Sequence, residues 1–196
     1  MITWLLNRVR SGVAIMNRTM TVHAFVDESR RGFRYFVAAA IAQPTHLHTL
    51  RRDLRKLLIP NQREIHFAKE KDVQRRKLAD AIAQLPIEVA MYSRMCGRQD
   101  ESARQTCLRA MTQDLLRRKA QRLVLDSRSQ SDVIDRATLS HALRDAEESR
   151  FGYDHLSTGE PLLWVADVAA WCYGAGAEWR KRIAPIITQE IDLDYP

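Results

Sequence analysis

Three features of the 196-residue chain predict an α/β domain on a mixed sheet, opening with an antiparallel hairpin and continuing with parallel strands, flanked by helices. Residues 21–28 alternate apolar and polar side chains, and 33–42 (FRYFVAAAIA) form a second extended run, with SRRG between them as a tight turn. Residues 121–126 contain a short, unalternating apolar run, the pattern of a strand covered on both faces. Leu47, Leu50, Leu54, Leu57 and Leu58 recur at helical spacing with arginines between them, which predicts a covering helix over 45–58.

The remaining elements follow in order. Pro60 and Asn61 stop the first helix, and a short segment, REIHF, comes next. A helix is predicted over 69–85, with Val73, Leu78, Ile82 and Leu85 inward and Pro86 ending it. A strand over 87–95, a helix over 101–119, the strand 121–126 and a helix over 132–149 complete the middle of the chain. FGYDHLSTGE is expected to be irregular, and EPLLWVADVAAWCYGAG to be the last helix, closed by Gly174 and Gly176. No repeat, low-complexity tract or linker divides the chain, so residues 20–196 are expected to form one domain. Met16 and Met20 lie just ahead of the first strand, and residues 1–19 are set apart as an N-terminal extension without assigned function.

With 45% hydrophobic residues the chain can bury one sizeable core. Its 31 Lys and Arg against 24 Asp and Glu leave a net charge of +7, and the pI is near 9.7. The basic residues cluster, most densely at Arg51, Arg52, Arg55 and Lys56, which favours nucleic acid over an acidic protein or a membrane as partner. Taken singly, each cluster is equally the solvated face of an amphipathic helix. Cys96, Cys107 and Cys172 show no CxxC or Cys/His spacing, so neither a disulfide framework nor a zinc site is indicated, and a cytoplasmic, reducing location fits. The apolar run in MITWLLNRVR is too short for a signal peptide or a membrane span. Nothing in the sequence indicates an oligomeric state.

Three aspartates stand where apolar sequence gives no structural reason for a charge. Asp27 closes VHAFVDES, Asp126 closes RLVLDSR, and Asp167 lies within EPLLWVADVAAWCYG. The first two should sit at the carboxyl ends of buried strands, where α/β sheets place their chemistry. Asp167 has Leu163, Ala170, Trp171 and Gly174 on its own helical stripe, which aims its carboxylate inward. An isolated inward carboxylate costs several kcal/mol unless a cation or hydrogen-bond donor compensates it. Phosphodiester cleavage by two divalent ions requires carboxylates converging from separate elements, and Mg²⁺ or Mn²⁺ suits such oxygen ligands. Glu64, flanked by Ile65 and Phe67, is the candidate fourth acid. Glu28, His66 and His155 form a second tier: Glu28 adjoins Asp27, and either histidine could orient a water or a phosphate, although a hydrogen-bonded structural histidine has the same sequence signature. Structural readings remain beside the functional ones: Asp27 as a turn residue with Ser29, Asp126 as a cap or ion-pair partner, Asp167 as half of a buried ion pair. Trp164, Trp171 and Trp179 are most simply packing residues.

The segments FVDES, EIHF, VLDSR and LLWVADVAAW, in that order over residues 21–175, resemble the bacterial domain-of-unknown-function family 3800, grouped with ribonuclease H-like folds. The resemblance implies a ribonuclease H-like core and assigns metal binding to Asp27, Glu64, Asp126 and Asp167. The helix predicted at 45–58 departs from a plain core of this type, in which the second strand leads directly into a third. The expectation is a nuclease cleaving RNA, DNA or a hybrid at a two-metal carboxylate site, with Arg51, Arg52 and Arg55 gripping the phosphate backbone. The alternative is a non-catalytic nucleic-acid-binding or partner-binding domain whose acids are structural.

Overall fold

The computed structural model describes residues 21–127, 132–145, 151–156 and 159–195. The predicted N-terminal extension, and the predicted helix beyond residue 145, lie outside them. The six strands are β1 (Val22–Arg31), β2 (Arg34–Ala42), β3 (Glu88–Met95), β4 (Ala120–Asp126), β5 (Gly152–Leu156) and β6 (Ile187–Asp192), in the spatial order β5-β4-β1-β2-β3-β6. β1, β2 and β3 form an antiparallel meander. β4 adds parallel to β1, β5 parallel to β4, and β6 parallel to β3. The sheet is therefore mixed, with the antiparallel opening and parallel continuation that the sequence predicts. The hairpin turn is made by Gly32 and Phe33, with Gly32 at φ +59°, a conformation in which a side chain is strained.

Helices cover both faces, and the period-2 alternation of the strands assigns each side chain to one layer. Phe36, Ala38, Ala40 and Ala42 of β2 join the core beneath α1 (Leu47–Arg55), α2 (Asp72–Ile82) and α5 (Pro161–Ala175). Tyr35, Val37, Ala39 and Ile41 join the opposite core beneath α3 (Asp100–Arg117) and α4 (Asp132–Asp145). Small alanines at the centre of β2, all fully buried, let α5 lie close against β1 and β2. A short α6 (Ala177–Ile183) then leads into β6.

Two strands depart from the sequence-based expectation. β5 occupies part of the segment expected to be irregular; its five residues GYDHL lie at the sheet edge and carry only one partner strand, so they show neither alternation nor an apolar run. β6 (ITQEID) is the opposite edge and is similarly short and half-polar. The first helix is also shorter than predicted, preceded by a 3₁₀ turn at Pro44–His46. With α2 it forms an insertion between β2 and β3, the departure anticipated from the sequence.

Across the opposite core the Tyr92 hydroxyl donates to Asp114 Oδ2 at 2.7 Å, and Asp114 also pairs with Arg118 at 3.1 Å. Burial and the adjacent carboxylate push the Tyr92 hydroxyl well above its ordinary pKa. Tyr92→Phe should therefore lower stability by about 1–2 kcal/mol in urea titrations, the cost of leaving a buried acceptor short of one donor.

Candidate active site

The parallel register of β1 and β4 pairs Phe25 with Val124 and Val26 with Leu125, so Asp27 and Asp126 are the next residues on adjacent strands. Phe25 and Val124 face the α5 side, whereas Val26 and Leu125 face α3. By alternation the two aspartates share the α5 side. They also border one small cleft, but its other walls, Val26, Glu28, Leu125, Arg104 and Leu108, belong to the α3 side of the sheet.

Helix α5 is apolar on nearly all sides and almost wholly buried, which fixes its position on the sheet. At its N-terminus Glu160 accepts from the Leu162 N–H and receives a two-pronged ion pair from Arg51, whose guanidinium lies over the Phe25 ring. Near its C-terminus Gly174 packs on Arg31. The helix thus runs alongside β1 from Phe25 to Arg31. Helical rise of about 1.5 Å and strand rise of about 3.3 Å per residue bring Asp167 level with Asp27 and Glu28, to within about one turn.

The Asp167 side chain is 18% exposed. Its Oδ2 accepts from the Phe67 N–H at 2.9 Å and lies 3.8 Å from His66 Nδ1. Burial raises its pKa, and the Phe67 N–H and His66 only partly offset that effect. The turn that supplies this N–H is held by Arg75, which donates to the carbonyls of Phe67 and Ala68 at 2.9 and 2.7 Å. Glu64, half-buried, precedes Phe67 by three residues, so chain length keeps their Cα atoms within about 10–11 Å. Asp27 and Asp126 thus share one side of the sheet with α5, and the EIHF segment is tied to Asp167. Among the described residues, however, the potential ligand atoms that converge within 4.8 Å in a group of three are those of Asp132, Asp135 and His155, not of these acids.

Hard carboxylate oxygens from separate elements, one of them desolvated, are a donor set that suits Mg²⁺ or Mn²⁺. Asp167→Asn keeps an oxygen acceptor for Phe67 while removing the desolvated charge. A carboxyl whose folded pKa is raised destabilises the fold increasingly as pH climbs from the unfolded value, about 3.9, through the folded value. The metal-free variant should therefore melt as high as wild type or higher at pH 7–8, with the difference vanishing below about pH 4. Thermal melts should also show Mn²⁺ raising the wild-type midpoint and leaving that of the variant nearly unmoved. A variant that does not fold would identify the charge as structural.

The second-tier residues lead to a group that sequence reasoning did not find. Glu28 points to the α3 side, where Arg104 holds it at 2.7 Å, and Arg104 also pairs closely with Asp135 of α4. All three side chains are nearly inaccessible. Burial opposes the Arg104 charge, but Asp135 and Glu28 outweigh it and hold the guanidinium protonated. His155 of β5, 4% exposed, places Nε2 at 3.4 Å from Asp135 and 3.9 Å from Asp132. Ligand atoms of Asp132, Asp135 and His155 lie within 4.8 Å of one another, close enough to hold an ion, although Arg104 already neutralises Asp135. The Ser127 hydroxyl donates to Asp132 at 2.8 Å, so the network runs from the residue after Asp27 to the residue after Asp126. The available signal was Asp-x-x-Asp in the first turn of a helix, with His155 in a segment not recognised as a strand.

Among the arginines singled out for nucleic acid, Arg51 is committed to Glu160 and Arg52 pairs with Asp53 at 3.2 Å. Arg55 is exposed at the end of α1. A cavity of about 430 Å³ lined by Gln43, His46, Glu88 and Arg118 lies at the other end of β1, away from the aspartates. No helix among the described residues is long and apolar enough to cross a membrane.

The fold is that of a ribonuclease H-like α/β protein; Asp126 ends β4 as expected, but Asp27 lies midway along β1, which continues to Arg31 in its antiparallel pairing with β2. A solved structure, "Structure of the PCNA:RNase HII complex from Archaeoglobus fulgidus", contains a chain similar to this one, with a TM-score of 0.52, 18% identity, and coverage of 80% of this chain and 73% of that chain. At that identity the likeness establishes the fold. No protein-family model and no curated protein sequence matches the chain.

Proposed function

We propose that this protein is a divalent-metal-dependent nuclease cleaving phosphodiester bonds of RNA, DNA or a hybrid; the resemblance to family 3800 contributes the assignment of its metal-binding acids. Asp27, Asp126 and Asp167 would hold the ions, two in number and Mg²⁺ or Mn²⁺, with Glu64 as the fourth acid. The observation that supports this reading is that Asp27 and Asp126 follow the paired residues Val26 and Leu125 on adjacent parallel strands, while α5, packed on β1, carries a desolvated Asp167. Bound ions would supply charge stabilisation to the phosphate and an activated water. The chain's own residues supply the geometry: Phe67 and Arg75 fix the Asp167 carboxylate, and half-exposed His66 is placed to hold or pass a proton beside it. Three free, buried cysteines fit action in a reducing cytoplasm.

One observation favours the non-catalytic alternative. Asp167 already has a donor in Phe67, which gives its burial a structural explanation without any ion. The deciding experiment is cleavage of end-labelled single strands, duplexes and hybrids by the purified protein with Mg²⁺ or Mn²⁺. Binding without cleavage of any of them would favour the binding domain.

A further inference from the structure

On the surface formed by α5 and α6, two tryptophans each carry two guanidinium groups. Arg31 and Arg75 lie 4.8 and 4.7 Å from the Trp171 ring centre, and Arg76 and Arg182 lie 5.5 and 5.9 Å from that of Trp179. The two indoles meet edge to face at 5.1 Å. Three of the four arginines have carboxylate partners: Arg75 pairs with Asp72, Arg76 with Glu178, and Arg182 with Asp80. Arg31 makes no ion pair with any described residue, and it is exposed at the end of β1.

Arg31 is nevertheless fixed in place. A Cβ at Gly174 would stand 2.4 Å from Arg31 Cγ and 3.3 Å from its Cβ, so the glycine leaves a notch that the arginine stem occupies. Gly174, expected from the sequence to close the helix, lies inside α5; the stop falls at Gly176, with φ +109°. Trp171 follows Asp167 by one turn on the same helical stripe. Arg31 lies on the Asp27 strand and, by alternation, on the same side of the sheet.

We propose that Arg31, seated in the Gly174 notch and stacked on Trp171, binds backbone phosphate of a nucleic-acid strand leading to the carboxylate site. A guanidinium held over a ring loses less freedom on binding, and its fork can meet two phosphate oxygens. Among the described residues nothing compensates its charge, and the neighbouring acids are the proposed site of phosphodiester chemistry. The inference rests on the nucleic-acid reading of that site but not on cleavage, so binding is measured with EDTA present.

The experiment is fluorescence anisotropy of labelled single-stranded and duplex oligonucleotides over a salt series. Arg31→Ala should weaken binding about tenfold, the worth of one hydrogen bond to a charged group, and reduce the salt slope by about 0.7–0.9. Gly174→Ala keeps every charge but displaces the arginine, and it should weaken binding in the same direction. Arg109→Ala, which removes the same charge from the exposed face of α3 on the other side of the sheet, should change little. Equal losses for Arg31→Ala and Arg109→Ala, or a Gly174→Ala protein that binds like wild type, would overturn the proposal, as would a wild type that binds no oligonucleotide. A wild type that binds through Arg31 yet cleaves nothing would remove the nuclease reading and leave this one standing.

Discussion

Asp27→Asn should abolish metal-dependent cleavage while leaving oligonucleotide binding in EDTA unchanged or slightly tighter. Asparagine preserves the shape but removes the charge that would hold an ion next to Asp126. Losing about 4 kcal/mol of charge stabilisation in the transition state corresponds to roughly a thousandfold in rate. Single-turnover cleavage with saturating Mn²⁺ reads this directly, and circular dichroism melts establish that the variant is folded. Retention of wild-type turnover would exclude Asp27 from the chemistry.

The largest stability effect is expected on the other side of the sheet. Arg104 bridges Glu28 and Asp135 where water hardly reaches, so Arg104→Ala leaves two buried carboxylates facing each other and His155 without their counter-charge. Removing one partner of a buried ion network costs about 3–5 kcal/mol, and a comparable drop in unfolding free energy is expected in urea at pH 7. A loss under about 1 kcal/mol would mean that water or an ion already screens these acids.

The contrast between these two groups shows what the sequence could reveal. Asp27, Asp126 and Asp167 were legible because each interrupts an apolar run, a local contradiction that needs no knowledge of tertiary structure. The same logic exposed β1 to β4 and α5, whose residues are buried on both sides. Asp132 and Asp135 sit in the first turn of a helix, where acids are ordinary, and their importance comes only from Arg104 and His155 across the sheet. β5 and β6 escaped for a related reason: an edge strand owes its conformation to one neighbour, and its composition carries little of that information. Arg31 could not be distinguished from the other arginines either, because the notch at Gly174 exists only once α5 lies on β1. The acidic side chain of Arg51's partner, Glu160, shows the converse, since a basic cluster that looked free for nucleic acid is partly spent on anchoring α5.

That α5 carries Asp167 has a consequence for when the proposed carboxylate site can form. The hairpin β1–β2 is local and can form early, but β4 must find β1 across an intervening insertion, and the helix carrying Asp167 emerges later still. A partly synthesised chain therefore exposes Asp27 beside unpaired strand edges without the rest of its acids. On the nuclease reading proposed above, a nascent chain at that stage would be sticky but without a complete site, and competence would arrive in one late step when α5 docks.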